Sequence, residues 1–270
     1  MSGLVSGWGA ATATGRRHGN EDSYLASPPV FVVADGMGGH EAGEVASALA
    51  VRAFDGLRGR DFVEPEDLNA CIEQGAAAIR ALPTLPGRGA GTTVAGVAVG
   101  SRDDLPYWLV LNIGDSRVYR SADGSLAQVT VDHSEVQEML DAGRLTPEEA
   151  ERYPRRHVVT RAVGGFGDLV PEFWVLPAGA ADRMLVCSDG LTGELDDATI
   201  AAVLAREADP QAAAEQLVEL ALATGGHDNV TVLVVDGRGA PVQEQTVPSL
   251  DADEDTLPRE GLDPTAGATA

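Results

Sequence analysis

Five short segments of this chain place an acidic residue beside glycine or asparagine at a predicted turn, and most of them follow a run of strand-forming residues. The segments are Asn20-Glu21-Asp22, Asp35-Gly36, Gly114-Asp115, Ser188-Asp189-Gly190 and Asp228-Asn229. Carboxylates at strand ends can converge in a fold although they lie far apart in sequence. Converged carboxylates repel one another unless cations lie between them. Because oxygen ligands without clustered Cys or His are typical of Mg²⁺ or Mn²⁺ rather than zinc, the pattern predicts strands that end at a metal site.

The charge of the chain excludes several classes of partner. The formal net charge is −23, and no cluster of basic residues stands out as a duplex-binding surface would require. We therefore expect neither nucleic acid nor an anionic membrane as a partner. All 19 basic residues are Arg, so a Walker-type phosphate loop and a kinase strand, which both need a lysine, are excluded.

The cysteines indicate a reducing compartment. Cys71 and Cys187 lie among apolar neighbours, which is typical of small buried residues. A Cys-x5-Arg phosphatase loop beginning at Cys187 would need Arg at position 193, where this chain has Gly193, so Cys187 does not begin such a loop. Two cysteines provide no disulfide framework, no apolar run approaches the roughly 18 residues of a membrane span, and no signal peptide is visible. We expect a cytoplasmic protein.

Strand-like and helix-like segments alternate in groups. The strand-like runs are residues 30–34, 92–99, 108–113, 118–120, 173–176, 183–187 and 230–235. Helical periodicity or capping signals mark residues 41–54 and 68–82, the capping box Thr146-Pro147-Glu148-Glu149, and a helix from Asp209-Pro210 to Gly225-Gly226. Several strands are joined by short turns, which favours antiparallel pairing. The order favours an α+β layered domain over a doubly wound sheet.

The last part of the chain differs in composition from the rest. Residues 241–270 hold seven acidic residues and one Arg. Low hydrophobicity with high net charge predicts an acidic disordered tail over residues 238–270, after a folded domain of residues 1–237. The tail could be an inert solubilising segment, or its acidic residues 251–255 could compete with a substrate for the site or the metals.

Seven motifs in one order carry a family resemblance. They are Arg17 to Asp22, Ala34 to His40, Gly91-Thr92-Thr93, Gly114 to Arg117, Asp132-His133-Ser134, Ser188 to Leu191 and Asp228 to Val232. This order resembles the bacterial metal-dependent serine/threonine protein phosphatases, the PPM family of the phosphatase 2C type, over about residues 8–236. The resemblance implies a central β-sandwich of two antiparallel sheets flanked by helices (α-β-β-α layers), with a binuclear metal centre at one end.

The resemblance also assigns metal ligands. It implies that Asp35 bridges the two metals and that the backbone carbonyl of Gly36 binds the first. Asp189 and Asp228 would bind the second metal. Asp115 resembles the residue that, with Asp189, binds a third, weaker metal in bacterial members.

Three more residues have roles implied by the resemblance. Glu21 and Asp22 would hold metal-bound waters or act as outer ligands, and Arg17 would grip the substrate phosphate. A guanidinium group matches two phosphate oxygens in bidentate fashion. Two divalent cations about 3.5–4 Å apart lower the pKa of a shared water, and the resulting hydroxide would attack phosphorus in line without a phosphoenzyme.

One position departs from part of the family. Some members carry His directly after the Asp-Gly pair, where it can protonate the leaving alkoxide, whereas this chain has Met37. The nearest histidine is His40, a candidate general acid, although a loop histidine without a catalytic role is the simpler interpretation. A metal-bound water could serve instead.

Residues 133–165 resemble the variable flap beside the family's active site. The flap holds the capping-box helix and Arg155-Arg156-His157, which could meet acidic or phosphorylated substrates or form a solvated face. Thr92 and Thr93 fit buried strand residues better than catalytic ones.

The function predicted from the sequence is an Mn²⁺- or Mg²⁺-dependent protein phosphatase that hydrolyses phosphoserine and phosphothreonine. We expect two metals, or three with the Asp115 site. The expected partners are phosphorylated proteins, a serine/threonine kinase and its substrates, and the chain is expected to be a monomer. The alternatives are a catalytically weak binding module on the phosphatase fold and a small-molecule phosphoester hydrolase.

Overall fold

The computed structural model describes residues 4–38, 41–83, 89–150, 152–165, 169–179 and 181–238, and these residues form eleven strands and seven α-helices. The strands are β1 (Val5–Ala13), β2 (Asp22–Ser27), β3 (Val30–Met37), β4 (Gly91–Thr92), β5 (Val94–Arg102), β6 (Leu105–Ile113), β7 (Arg117–Ala122), β8 (Ser125–Gln128), β9 (Glu172–Pro177), β10 (Asp182–Cys187) and β11 (Val230–Gly237). The helices are α1 (Glu41–Arg52), α2 (Pro65–Arg80), α3 (Glu135–Asp141), α4 (Pro147–Ala150), α5 (Asp189–Thr192), α6 (Asp197–Arg206) and α7 (Pro210–Thr224). Residues 239–270 of the predicted tail lie outside the described residues.

The strands form two sheets. One has the order β1-β11-β10-β7-β8, and the other has the order β2-β3-β5-β6-β9 with β4 paired to β3. All of the registered strand pairs in the described residues are antiparallel. The predicted α+β class and the sandwich of two antiparallel sheets are therefore confirmed.

Three layers of apolar contacts hold the sandwich together. In β3, Val30, Val32 and Ala34 pack with α1 and α2, whereas Phe31 and Val33 face the second sheet. A third cluster packs α6 and α7 against β10 and β11. Because the central strands are buried on both faces, they are continuous apolar runs rather than alternating ones.

The helices begin where their capping residues predict. Asp209 accepts a hydrogen bond from the Ala212 amide at 3.1 Å, and Pro210 occupies the first turn of α7. In the capping box, Thr146 accepts from the Glu149 amide at 3.3 Å, and Glu149 accepts from the Thr146 amide at 2.9 Å. Both helix starts were predicted correctly.

The sequence patterns missed the two strands at one side of the sandwich. β1 and β2 are each the edge strand of a sheet, and both are rich in Gly, Ala and Ser. Such residues have weak strand propensity, so only pairing with β11 and β3 makes these segments extended.

The sheet register brings several acidic segments to one end of the sandwich. The start of β2 lies opposite the end of β3, since Asp22 pairs with Asp35. β10 ends beside the start of β11, where Cys187 pairs with Val232. Among the helices described, none combines the length and apolar character that a membrane crossing requires.

Candidate metal centre

Asp35 lies within reach of carboxylates from three other parts of the chain. Its pKa is raised well above the ordinary value, first by burial and then by the negative charges of Asp22, Asp189 and Asp115. Asp35 is still part of β3 and not in a turn after it, which corrects the expected boundary. The strand backbone therefore holds the central carboxylate of the cluster rigidly.

The backbone of Asp35 is held by two buried threonines. The Thr93 amide and the Thr92 hydroxyl donate to the Asp35 carbonyl oxygen at 2.9 and 2.8 Å. The Asp35 amide donates to Thr93 Oγ1 at 3.0 Å. Thr92 and Thr93 are 0% and 1% exposed, so both are buried residues that position Asp35; Thr92 ends β4, whereas Thr93 lies between β4 and β5.

Gly36 lies where the chain has no room for a side chain. A Cβ atom at this position would come within 2.2 Å of the Gly43 carbonyl oxygen and 2.6 Å of the Glu21 carbonyl oxygen. The Gly36 amide donates to the Glu21 carbonyl at 3.1 Å. Glycine is thus required here by the close approach of β3, α1 and the chain before β2.

Asp22 has one carboxylate oxygen with a donor and one without. Oδ2 accepts a hydrogen bond from the Ser188 hydroxyl at 2.8 Å, whereas Oδ1 is buried and has no hydrogen-bond partner among the described residues. Burial, and then the charges of Asp189 and Asp228, raise the pKa of Asp22 to about 7 despite the hydrogen bonds from Thr231 and Ser188. A buried carboxylate oxygen without a donor is costly unless a proton or a cation neutralises it.

Asp189 stands at the start of helix α5 rather than in a turn, which corrects a second sequence expectation. The side chains of Asp35 and Asp189 interact, and this interaction favours protonation of Asp35 over Asp189. Burial and then the charge of Asp228 raise the pKa of Asp189. Without a cation, the two carboxylates can approach only by sharing a proton.

Arg17 lies at the exposed edge of the cluster. Its Nη2 atom donates to Asp228 Oδ2 at 2.6 Å, and the two side chains are 59% and 37% exposed. Asn229 orders the loop that carries Arg17, because its side-chain amide donates to the carbonyls of Thr14 and Gly19 at 2.9 Å each. The guanidinium group therefore lies beside the carboxylates and remains accessible to solvent.

Glu21 is held through its backbone. Its amide donates to Asn229 Oδ1 at 2.8 Å, and its carbonyl accepts from the Ser47 hydroxyl at 2.5 Å. The charge of Glu21 also raises the pKa of Arg17, although the hydrogen bond and charge of Asp228 do so more strongly. Glu21 therefore borders the cluster.

Asp115 is a buried carboxylate on the turn between β6 and β7. Burial first, and then the charges of Asp189 and Asp132, raise its pKa to about 8. Asp132 itself is neutralised by Arg117, whose Nε and Nη2 atoms donate to it at 2.9 and 2.7 Å. Among the described residues, no basic side chain forms an ion pair with Asp115 as Arg117 does with Asp132.

The flap lies beside the cluster. The charge of His157 lowers the pKa of Asp189, so the flap histidine lies near that carboxylate. Arg155, which could have met a substrate, forms an ion pair with Glu135 at 2.7 Å. His40, the candidate general acid, lies outside the described residues.

The donor set fits hard divalent cations. It consists of oxygen atoms, with a buried carboxylate oxygen that lacks a donor and several carboxyl groups with raised pKa values. In the described residues, no group of three or more acidic, imidazole or thiolate side chains is arranged to hold a metal ion by itself. Mg²⁺ and Mn²⁺ keep several waters, so an open arrangement completed by a carbonyl such as that of Gly36 is compatible with them.

Sequence reasoning missed residues that position the cluster without belonging to it. Ser188 accepts from the Thr231 amide at 3.0 Å and donates to Asp22, and thereby joins the two sheets. Thr93 Oγ1 also lies 2.7 Å from Ser116 Oγ. The one sequence signal was that these residues flank the acidic motifs, and their partners are visible only in the fold.

Comparisons with known proteins place the chain in context. The sequence profile described as Protein phosphatase 2C matches residues 19–223. The serine/threonine protein phosphatase PstP of Mycobacterium tuberculosis is 41% identical over 256 residues, which cover 90% of this chain and 48% of PstP, so this chain spans about half the length of that relative. The serine/threonine phosphatase stp of Listeria welshimeri is 32% identical over 82% of this chain and 91% of its own length. The crystal structure of the PstP catalytic domain in complex with two manganese ions has a TM-score of 0.77 and 39% identity, and covers 87% of this chain and 99% of that one.

Proposed function

Since this chain belongs to the protein phosphatase 2C family, we propose that it removes phosphate from phosphoserine and phosphothreonine in proteins with the help of bound Mn²⁺ or Mg²⁺. The observation that carries this proposal is the set of buried carboxyl groups Asp22, Asp35, Asp115 and Asp189, in each of which burial and the charge of other acidic residues raise the pKa. So many buried carboxylates in one place need positive charge, and two divalent cations would supply it.

The residues proposed to hold the cations are those that the family resemblance assigns. Asp35 lies centrally and would bind both, with the carbonyl of Gly36 on the first cation. Asp189 and Asp228 would bind the second, and Glu21 and Asp22 would act through waters or as outer ligands. Asp115, beside Asp189, would complete a third and weaker site. When bound, such cations lower the pKa of a coordinated water and neutralise charge on a phosphate ester.

The remaining side chains would orient the substrate. Arg17 lies at the open edge of the cluster, where its guanidinium group would leave Asp228 in part and bind two phosphate oxygens. The flap, next to Asp189, would contact the residues around the phosphorylated side chain. The identity of the group that protonates the leaving alkoxide stays a prediction, with His40 as one candidate.

The proposed partners are phosphorylated proteins, among them a serine/threonine kinase and its substrates, and the proposed location is the cytoplasm. The two buried thiols Cys71 and Cys187 fit a reducing compartment. A monomer is the proposed state. Binding without catalysis and hydrolysis of small phosphoesters are less well supported, because the predicted ligand residues are all present and the relatives named above are serine/threonine phosphatases.

The proposed function predicts hydrolysis of a phosphothreonine peptide by the purified protein in the presence of Mn²⁺. Phosphate release measured with malachite green should rise with added Mn²⁺ and stop on addition of EDTA. A phosphotyrosine peptide and p-nitrophenyl phosphate give the comparison of substrate class. Phosphate release that persists in EDTA would reject the proposed chemistry, and preference for small esters over the peptide would reject the substrate class.

We expect Arg17→Ala to raise KM for the phosphothreonine peptide by about 10- to 100-fold, because a charge-assisted bidentate contact contributes about 1.5–3 kcal/mol. Arg17→Lys should recover only part of the loss, since an ammonium group lacks the guanidinium fork. Arg60→Ala is a matched control, because Arg60 is similarly exposed and paired with Asp67 at 3.0 Å. Equal kinetics for the Arg17 and Arg60 variants would contradict the assigned role.

A further inference from the structure

His133 is a buried histidine at the point where the flap leaves the sandwich. Its side chain is 4% exposed. The His133 amide donates to the Gly114 carbonyl at 2.8 Å, and the Gly114 amide donates back to His133 Nδ1 at 3.1 Å. The backbone and the ring of one residue therefore hold both polar groups of Gly114.

The hydrogen bond from Gly114 determines the tautomer of the ring. Because Nδ1 accepts, the neutral ring carries its proton on Nε2, which lies 3.2 Å from both Glu172 Oε1 and Arg161 Nη1. Arg161 also donates to Glu172 Oε1 at 2.7 Å. Burial, and then the charge of Arg161, lower the pKa of His133, so the neutral ring persists at neutral pH.

Gly114 directly precedes Asp115, and its geometry leaves little freedom. Its φ angle is +114°, and a Cβ atom there would come within 2.5 Å of Thr93 Cγ2. The Asn112 side chain donates to the Gly114 carbonyl at 3.0 Å, in addition to the His133 amide. Since that carbonyl belongs to the peptide group that joins Gly114 to Asp115, these contacts orient the Asp115 backbone.

The same histidine also holds the base of the flap. Its carbonyl accepts from the Thr160 amide at 2.8 Å, and its neighbour Ser134 pairs with Val159. Glu172 is the first residue of β9, so the ring contact ties the flap base to the second sheet. One residue thus links the Asp115 turn, both ends of the flap and β9.

We propose that His133 is a positioning residue, which orients Asp115 through its two hydrogen bonds to Gly114 and couples the flap base to the weakest cation site. This inference rests on the proposed function, because that site is proposed to bind a cation with Asp115. Outer contacts that orient a ligand typically change metal affinity by about 10- to 100-fold. The positioning role predicts that the hydrogen bond to Nδ1, and not merely the volume of the imidazole ring, sets the cation affinity at Asp115.

Two substitutions distinguish the contribution of Nδ1 from that of Nε2. In H133N, the side-chain oxygen takes the place of Nδ1 and can accept from Gly114. In H133Q, the longer side chain reaches the place of Nε2 and Glu172 but leaves the Gly114 amide without its acceptor. H133N removes more bulk than H133Q, so lost packing alone would make H133N the more damaged variant, which is the opposite of the order that the positioning role predicts.

Isothermal titration calorimetry with Mn²⁺ and the Mn²⁺ dependence of phosphopeptide hydrolysis are the readouts. We expect H133Q to weaken the weakest Mn²⁺ binding event by about tenfold or more and to raise the Mn²⁺ midpoint of activity similarly. H133N should stay within about threefold of the original protein in both. At saturating Mn²⁺, KM of H133Q for the peptide should change little.

Several outcomes would overturn the positioning role. Equal Mn²⁺ binding in H133Q and the original protein would do so, as would equal losses in H133N and H133Q. If H133Q does not fold, ¹⁵N NMR of the original protein is the deciding measurement. A ring proton on Nδ1 of His133 would reject the positioning role. A Gly114 amide signal that does not change when Mg²⁺ is added would also reject it. An original protein that binds Mn²⁺ but does not hydrolyse the peptide would reject the proposed function while leaving this inference open to the calorimetric comparison.

Discussion

Replacement of Asp35 by Asn is expected to lower kcat for a phosphothreonine peptide by roughly three orders of magnitude and to raise the stability of the metal-free protein. The loss of rate follows because Asp35 is the central carboxylate of the proposed cation cluster, and removal of its charge weakens both cation sites at once. An amide also cannot supply the negative charge that would fix the spacing of two cations.

The gain in stability arises because, without metal, the carboxyl group of Asp35 is unfavourable in its surroundings. In the metal-free protein, burial and the charges of Asp22, Asp189 and Asp115 disfavour ionised Asp35. The amide side chain of the Asp35→Asn variant would carry no charge and could still donate to Asp189. Relief of repulsion by on the order of 1 kcal/mol corresponds to a rise of about 2–4 °C in melting temperature for a domain of this size.

Steady-state kinetics with Mn²⁺ and thermal unfolding in EDTA measure the two effects of Asp35→Asn. Asp55→Asn is the matched control, because Asp55 makes an exposed ion pair and should change neither quantity by much. Retained turnover in the Asp35 variant would remove Asp35 from the proposed cation sites. A lowered melting temperature in EDTA would show that Asp35 acts as an ordinary buried hydrogen-bonding group.

The largest expected effect on stability comes from pH and metal together. The metal-free protein should lose stability as pH rises from about 5 to 8, and Mn²⁺ should restore it. The pKa values of Asp22 and Asp115 are raised from 3.8 to about 7 and about 8, so the folded protein holds protons that the unfolded chain has released. Since the folded state binds more protons in this window, its stability falls with rising pH, by an amount on the order of a few kcal/mol.

The groups with lowered pKa values change the stability in other pH ranges or in the opposite direction. The lowered pKa values of Glu148, Glu172, Glu194 and Asp196 contribute stability that is lost only as pH falls below about 4.5, outside this window. The lowered pKa of His133 opposes the trend below about 6.5, where the unfolded chain binds a proton that the folded chain does not. One imidazole is not expected to outweigh the several buried carboxyl groups.

Melting temperatures measured at pH 5, 6, 7 and 8 in EDTA and in excess Mn²⁺ test this prediction. Mn²⁺ competes with protons for the carboxylates, so its stabilising effect should be small at pH 5 and large at pH 8. At 100 times the dissociation constant, binding of one ion adds about 2.7 kcal/mol. A melting temperature in EDTA that does not fall between pH 5 and 8, or an Mn²⁺ effect independent of pH, would contradict a cluster of buried proton-binding carboxylates.

Much of the fold could be predicted from local patterns. Residues 230–235 and 183–187 are β-branched or apolar runs, and they lie within β11 and β10. Asp209-Pro210 marked the start of α7, because a side-chain cap and a proline at the first turn act locally. The edge strands β1 and β2 could not be predicted this way, since pairing and not propensity makes them extended.

The candidate site was predictable only in part. The acidic motifs identified Asp35, Asp189 and Asp228 as candidate ligands, because short motifs and their order are properties of the chain. The expectation that these residues occupy turns was wrong for Asp35, which lies in β3, and for Asp189, which begins α5. Strand ends and helix starts depend on neighbouring elements that a local pattern does not contain.

The sequence by itself determined the class of chemistry, because oxygen ligands without lysine, clustered cysteine or clustered histidine restrict which cations and which phosphate chemistry the chain can use. Only the tertiary structure decided that Asp22 pairs with Asp35, that Asp189 interacts with Asp35, and that His133 holds Gly114. The physical reason is that charge repulsion, desolvation and hydrogen bonding act over a few ångströms in space. The packing of the strands and helices sets those distances, and it brings Asp189 close to Asp35 although the two residues lie far apart in the chain.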